Sequence, residues 1–532
     1  MPASAPSIPA LKDALSTPDA YPHAPQEITF KQTHISLVAL APPWVYKIKK
    51  PVSLAFLDFS TRERRRHYAE QEVRLNRRLA PDTYVDVVPI VQTDAGLRVE
   101  GDPEAGQVVE VAVKMRYLEP SQFLDARLAR GEAGAAEIDR VVETLCAFYA
   151  SRPSRPEVAE AGRIDRLRAV TEENFEEAEG QVGTLLSRPA HEALQFYARR
   201  FYDQHAALLH RRRAHGHIVE GHGDLRLEHV HLTDERVAIF DCIEFNDEFR
   251  WLDVANDIAF LAMDLDHHGR PDLSRRFVSR MAAGLDDPDL PRLLHFYKSQ
   301  RAQVRGKVGG LRAAGEAVSP REQSHSRATA QHHYQWAVRY AVAGSAPLVI
   351  VVMGRPGTGK STQAEAVARA LGWPHLASDR IRKMHAGAAL HGRASARTRQ
   401  RLYTDAMTEA TYATLRTRAR RAARQHRGTV LDATFSRRAQ RDRLRTALRT
   451  ADVPYVFVEL TAGDEALKKR LRERSAADAT ASDARAADFD MLTERYEAPD
   501  ALEDPRHVTV STEAAPEDTT LALLKALIRL RD

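Results

Sequence analysis

Cysteine is almost absent: the 532 residues hold two, Cys146 and Cys242, far apart and in no metal-ligand spacing. That argues against a disulfide framework and a cysteine-based zinc site, and it fits a reducing cytosolic compartment. Long apolar runs are missing too, since none approaches the roughly 20 residues needed to span a bilayer. The first 26 residues, rich in Ala, Ser and Pro, lack a basic segment followed by an apolar one, so they read as a flexible lead rather than a signal peptide. A cytoplasmic protein with no membrane partner is expected. Charge of one sign is scarce: 78 basic against 73 acidic residues leave +5. There is no internal repeat, and the only low-complexity stretch is Ser475 to Ala487. With 43% hydrophobic and 28% charged residues, wholesale disorder and fibrous classes are excluded.

At about 150 residues per domain, the length allows three or four domains or two large ones. Two kinds of text divide it. From Phe30 to Lys307, short apolar strand candidates lead into long helical patterns; from Leu348 onward, strands alternate with helices, which implies a parallel sheet with crossover helices. The boundary is expected near 341–347, separating a domain over 27–340 from one over 346–532. The positive charge is localised: His391 to Thr450 holds 16 Arg against 4 acids. Such a block suits an anionic partner, although a solvated arginine-rich helix face is the commoner cause.

The second text carries the sharpest signal. Leu348 to Met353 is an unbroken apolar run, as a buried parallel strand requires. It enters Gly354-Arg355-Pro356-Gly357-Thr358-Gly359-Lys360-Ser361-Thr362, a full phosphate-loop pattern with a strand before and a helix after. Gly354, Gly357, Thr358, Gly359 and Thr362 shape a backbone whose N–H groups converge on phosphates at a helix N-terminus. Lys360 reaches the terminal phosphates, and the Ser361 hydroxyl is a candidate Mg²⁺ ligand.

A phosphate loop implies a nucleotide but no particular reaction. The next strand ends at Ser378-Asp379-Arg380-Ile381-Arg382, where Asp379 could take a proton from an attacking hydroxyl and Arg382 could hold an anionic group. Helix capping by Ser378 or Asp379 is the plainer alternative. Asp432, inside the apolar strand Thr429 to Phe435, is a buried acid in need of a partner such as Mg²⁺. Arg470 and Arg474 share a helix face and could close over ATP, or could belong to a solvated face. The small, acidic loop beyond them has a lid's composition. These residues make Pro347 to Asp532 resemble P-loop kinases of the gluconate, shikimate and polynucleotide 5′-kinase type. The resemblance implies Asp379 as base and Arg382 as substrate arginine.

In the first text, His222-Gly223-Asp224-Leu225-Arg226-Leu227-Glu228-His229 has the spacing of a kinase catalytic loop, with Asp224 as base. Seventeen residues later a strand delivers Asp241, a candidate Mg²⁺ ligand. Val45 to Lys50 reads as a strand with Lys47, or alternatively Lys49, facing ATP phosphates; an edge strand made soluble by lysines is the competing reading. On the helix Thr61 to Leu79, Glu72 is the single acid on the apolar stripe with Tyr68, Leu75 and Leu79, so it is the natural partner of Lys47. Glu70 shares the opposite face with arginines.

Residues 30–310 resemble the aminoglycoside phosphotransferase and choline kinase superfamily, and the whole chain is similar to bacterial proteins that fuse such a domain to a P-loop kinase. The resemblance implies ATP and Mg²⁺, an α+β protein-kinase-like two-lobed domain, and an α/β P-loop NTPase domain with parallel sheet and lid. It carries over Lys47, Glu72, Asp224, Asp241 and, on the next helix, Asp253 and Asp257, whose plainer role is to favour a helix dipole. Two positions depart from the pattern. His229 stands where an Asn would bind Mg²⁺, and Ala39 to Trp44 has no glycine to close over phosphates. A transferase using two sites on small hydroxyl compounds is therefore expected. The alternatives are a polynucleotide 5′-hydroxyl kinase and an N-terminal pseudokinase that regulates the second domain. The acids around Asp247-Glu248 and Asp264 to Asp266 are diluted by His267, His268 and Arg270, which does not suit a polycationic acceptor.

Overall fold

The computed structural model describes residues 6–54, 56–315, 319–389, 400–476, 487, 489–499 and 506–531, with backbone alone for 474–476. The chain packs as two units: Met1–Leu167 with Ala206–Leu294, and Arg168–His205 with His295–Asp532.

The first unit begins with a six-stranded antiparallel sheet. Its spatial order is Thr29–Gln32, Ser36–Ala41, Trp44–Lys49, Gln107–Arg116, Tyr84–Thr93, Gly96–Val99. Alternation along Trp44–Lys49 sends Tyr46 and Ile48 into a core with Leu37, Ala39 and Ile90, and leaves Lys47 and Lys49 on the other face. That strand is paired on both sides, so the edge-strand reading is wrong. The glycine-free stretch before Lys47 is no open loop either: residues 39–41 and 44 are strand, and only Pro42-Pro43 turns between them.

The helix expected over 61–79 runs Arg62–Asn76. Thr61 caps it, its hydroxyl accepting the Arg64 N–H at 3.3 Å. Ala69 and Val73 pack on Val111 and Val113 of the sheet, which turns Glu72 inward, while Glu70 pairs with Arg66 at 3.0 Å outside. Beyond the sheet, helices including Ala135–Ala150 and Val254–His267 support two short hairpin-like pairs. Ile218–Glu220 pairs with Trp251–Asp253, and Val230–Leu232 with Val237–Ile239. The segments 221–229 and 241–250 hang from these pairs.

The second unit contains a five-stranded parallel sheet in the order His375–Ala377, Thr429–Asp432, Val349–Met353, Tyr455–Thr461, His507–Ser511. All five residues of the central strand are buried, as its unbroken apolar run requires. The helix expected after the loop runs Lys360–Leu371, so it starts at the loop's lysine itself. In register, Val352 and Ala377 both sit beside Asp432. The topology therefore places Asp432 between the phosphate loop and the segment bearing Asp379.

Candidate active sites

In the first unit the lysine ambiguity resolves into a network that uses both. Lys47 Nζ lies 2.8 Å from Glu72 Oε1 and 2.7 Å from Asp241 Oδ1. Lys49 Nζ lies 2.8 Å from Glu72 Oε2 and also pairs with Glu244. The chain of charges thus runs Asp241, Lys47, Glu72, Lys49, Glu244, and Lys49 stands 4.9 Å above the Phe59 ring. Glu72 is wholly buried; burial alone would push its carboxyl up, but the two ammonium groups hold it below the usual range. Partial desolvation opposes the charge of the half-exposed Asp241, and Lys47 and then His229 outweigh it, so its carboxyl sits well below the usual range. Glu244 goes the other way, raised by burial more than Lys49 lowers it. Three carboxylates share two ammonium groups, an excess of negative charge that suits a further cation.

Glu244 and the role of Lys49 were missed from sequence. The available signal was a lone acid in the apolar text after Asp241. A Lys49→Met variant should lose about 3 kcal/mol in urea unfolding, because Glu244 and half of Glu72 lose their buried partner. The same change made in Glu244→Gln should cost clearly less, and a double-mutant cycle measures the difference. Additive losses would remove Glu244 from the network.

The catalytic-loop candidate is held by its backbone. Asp257 Oδ2 accepts the His222 N–H at 2.7 Å and the Tyr149 hydroxyl at 2.8 Å, and Oδ1 accepts the Gly223 N–H at 2.9 Å. Asp257 therefore positions the loop, which goes beyond favouring a helix dipole. Gly223 has φ +85°, and a Cβ there would stand 2.9 Å from the Phe249 carbonyl oxygen, so only glycine fits. His222 Nδ1 accepts the Asp224 N–H at 3.3 Å while Nε2 faces the Phe240 carbonyl at 3.0 Å. Those roles fix a neutral tautomer with the proton on Nε2, and burial lowers the ring's proton affinity in the same direction. Asp253 caps its helix, Oδ1 accepting the Ala255 N–H at 2.8 Å, and it also pairs with Arg212.

His229 lies where its two neighbours converge. Its Nδ1 is 2.9 Å from the Asp224 carbonyl oxygen, an obligate acceptor, so the Nδ1 proton donates there. Its Nε2 is 3.5 Å from Asp241 Oδ2. Arg226, also unremarked in the sequence, pairs with Glu228 and has Nη1 3.8 Å from Asp224 Oδ2. Among the described residues no group of three or more His, Cys, Asp or Glu side chains is arranged to hold a metal ion by itself. Mg²⁺ characteristically takes one or two carboxylates plus substrate phosphates and water, and the Asp241 side chain, 42% exposed, offers the hard oxygens such an ion prefers.

In the second unit the loop closes on itself. Gly354, Gly357 and Gly359 have φ of +140°, +86° and +80°, and a Cβ on Gly354 would meet the Leu460 carbonyl oxygen at 2.4 Å. Thr358 Oγ1 and Lys360 Nζ both donate to the Arg355 carbonyl, at 2.8 and 2.9 Å. Ser361 and Thr362 open the helix and are exposed at its positive end. Asp432 is buried, 3.4 Å from His375 Nε2.

The helix Ser378–His385 is capped at Ala377, so neither Ser378 nor Asp379 occupies the capping position. Instead Asp379 Oδ1 accepts from Arg382 Nη1 at 3.3 Å, and the Arg382 guanidinium lies 4.6 Å over the Tyr403 ring. Among the described residues Arg382 Nε is buried without an acceptor, which an anionic ligand would supply. Arg470 is anchored to Thr512, its Nη1 donating to Oγ1 at 3.0 Å. The Arg474 side chain, the loop over 481–484 and residues 391–399 of the arginine block lie outside the described residues.

Two family models match this chain. Residues 45–296 match the phosphotransferase enzyme family, and residues 349–499 match an AAA domain family. Uncharacterized proteins of Mycobacterium tuberculosis and Mycobacterium bovis are 32% identical over 375 residues, covering 69% of this chain and 70% of theirs. Among solved structures, a gluconokinase from Sinorhizobium meliloti 1021 is 26% identical with a TM-score of 0.26, over 34% of this chain and 94% of its own.

Proposed function

This chain belongs to the family that joins an aminoglycoside phosphotransferase-like domain to a P-loop kinase domain, and from that premise we propose an ATP-dependent phosphotransferase with two separate sites, each acting on a hydroxyl group. By sequence the two modules would be residues 27–340 and 346–532, although residues 168–205 and 295–340 pack with the second unit. The single observation that carries the reading is the assembly of Lys47, Glu72 and Asp241 within 2.8 Å contacts, beside an Asp224 loop clamped by Asp257. A decayed site has no need to keep that lysine–carboxylate network, and this favours catalysis over a pseudokinase.

In the first site Lys47 would pair with the phosphates, held by Glu72, while Asp224 takes the proton of the acceptor hydroxyl. Mg²⁺, held by Asp241 with His229 beside it, would neutralise phosphate charge when bound. In the second site Gly354 to Thr362 would cradle the phosphates, with Lys360 on the terminal ones. Ser361 and Asp432 would hold the ion, Asp379 would act as base, and Arg382 would fix the anionic group. Arg470, with Arg474 and the following loop, would form a lid. Catalysis in both is positioning plus electrostatic neutralisation.

The polynucleotide alternative has less support. The exposed Arg421 and Arg424 end the helix that precedes Thr429–Asp432 and Arg427 follows it, so all three lie at the end of the strands opposite the phosphate loop. Two free cysteines, and no described helix long and apolar enough to cross a membrane, are compatible with work in a reducing cytoplasm.

The test is an acceptor screen over sugars, nucleosides, aminoglycosides, simple alcohols and 5′-hydroxyl oligonucleotides, with phosphorylated products read by mass spectrometry. Products lost only with Asp224→Ala, and others lost only with Lys360→Ala, are expected. Products that survive both changes would refute the reading.

A further inference from the structure

The first unit keeps an apolar surface where folding alone would have hidden it. Among the described residues, Leu54, Phe56 and Phe249 are each more than 40% exposed. The Phe56 ring lies 5.9 Å from Phe245 and 6.3 Å from Phe249, and those two rings are 6.2 Å apart. Three phenylalanines from two separate segments therefore form one aromatic surface open to solvent, and a contiguous exposed apolar patch of this kind is suited to binding a ligand.

Its position is fixed relative to the catalytic loop. The Ile243 N–H donates to the His222 carbonyl at 3.2 Å, and the Gly221 N–H donates to the Arg250 carbonyl at 2.8 Å. Both ends of the 243–250 loop are thus stapled to the residues that precede Asp224. Arg250, 1% exposed, braces the interior, its Nη1 donating to the Ile243 carbonyl at 2.7 Å and the Asn246 carbonyl at 3.3 Å. The Phe249 carbonyl oxygen sits where a Cβ on Gly223 would be 2.9 Å away, so the aromatic loop touches the neighbour of Asp224.

The charges nearby do not favour a polycation. Asp247 is taken by Arg250, Glu248 lies 3.5 Å from Arg166, and the Arg226 guanidinium stands 3.8 Å from the Asp224 carboxylate. Arg226 also pairs with Glu228, so each of these acids already has an arginine beside it, which leaves little net negative charge to attract a cationic acceptor.

We propose that Phe56, Phe245 and Phe249 are the acceptor platform of the Asp224 site, and that its acceptor is an uncharged alcohol carrying its hydroxyl beside a flat apolar body, aromatic or alicyclic. The inference rests on the phosphotransferase reading of that site. On the platform, the acceptor hydroxyl gives its proton to Asp224 as its oxygen bonds to the γ-phosphorus. The bond from that phosphorus to the bridging oxygen breaks, and ADP leaves.

The test uses the full chain carrying Lys360→Ala, with 2-(2-naphthyl)ethanol as probe and kanamycin as the polycationic comparison. Binding is read by saturation-transfer NMR with a non-hydrolysable ATP analogue and Mg²⁺ present, and transfer by mass spectrometry. The probe should bind in preference to kanamycin. Phe56→Ala and Phe249→Ala should each weaken it about five- to tenfold while affinity for the ATP analogue moves less than twofold. Asp224→Asn should keep probe binding and abolish its phosphorylation. A probe that does not bind, or that binds both phenylalanine variants as it binds the parent, overturns the proposal, as does preferred binding of kanamycin. Sedimentation showing a dimer that the variants dissolve also overturns it, because the patch would then join two copies. Phenylalanine-dependent binding with no Asp224-dependent transfer upholds the platform and refutes the phosphotransferase reading instead.

Discussion

Replacing Arg212 by methionine is expected to cost the first unit about 3–5 kcal/mol, the range for removing one partner of a buried ion cluster. Arg212 is 2% exposed and bonds two aspartates at once. Its Nε and Nη2 meet Asp253 at 2.6 and 2.7 Å, and Nη1 meets both Asp287 oxygens at 2.8 Å. Burial works against the guanidinium charge, but the two carboxylates outweigh it and hold the proton more firmly than in water. Methionine fills the space and supplies no charge, so two buried carboxylates lose their cation together. Each has other duties, Asp253 capping its helix and Asp287 accepting the Leu290 N–H at 3.1 Å. Urea unfolding with far-ultraviolet circular dichroism measures the loss. A change below about 1 kcal/mol would show that the cluster contributes specificity rather than stability.

Asp257→Ala should reduce Asp224-dependent phosphoryl transfer at least about a hundredfold, the scale on which a misplaced catalytic group lowers a rate. The carboxylate accepts three hydrogen bonds, two of them from the backbone of His222 and Gly223. Without it those buried N–H groups are unpaired, and the loop that aims Asp224 loses two of the bonds that set its backbone. Asp257→Asn tests the mechanism more finely: an amide accepts through one oxygen only, and its NH₂ would face a donor. Its rate should fall between parent and alanine, with kcat affected more than KM for ATP. A full rate in Asp257→Ala would demote the residue to a helix-end acid.

What sequence made legible follows from how local each signal is. The phosphate loop was readable in full, because its residues are contiguous and each answers a backbone or phosphate requirement. Glu72 could be paired with Lys47 across 25 residues, because a lone acid on an apolar helix stripe demands a cation. The doubled use of Glu72 was not readable, since which of two lysines on one strand face reaches an acid depends on how the helix crosses the sheet. Glu244 and Arg212 escaped for the same reason: their partners lie 195 and 41 residues away, and only the folded backbone brings them together. The edge-strand reading of Trp44–Lys49 failed because lysines on one face resemble solvated lysines until the covering helix is in place. Asp257 was placed correctly on its helix, but its reach to the catalytic-loop backbone depends on two connections that carry no motif.

The number of nucleotide sites decides the central claim most directly. Isothermal titration of the intact protein with a non-hydrolysable ATP analogue and Mg²⁺ should give two nucleotides per chain. Lys360→Ala should leave one, Asp241→Ala should leave the other, and the double variant should leave none. One nucleotide per chain in the parent, lost entirely with Lys360→Ala, would contradict the two-site account.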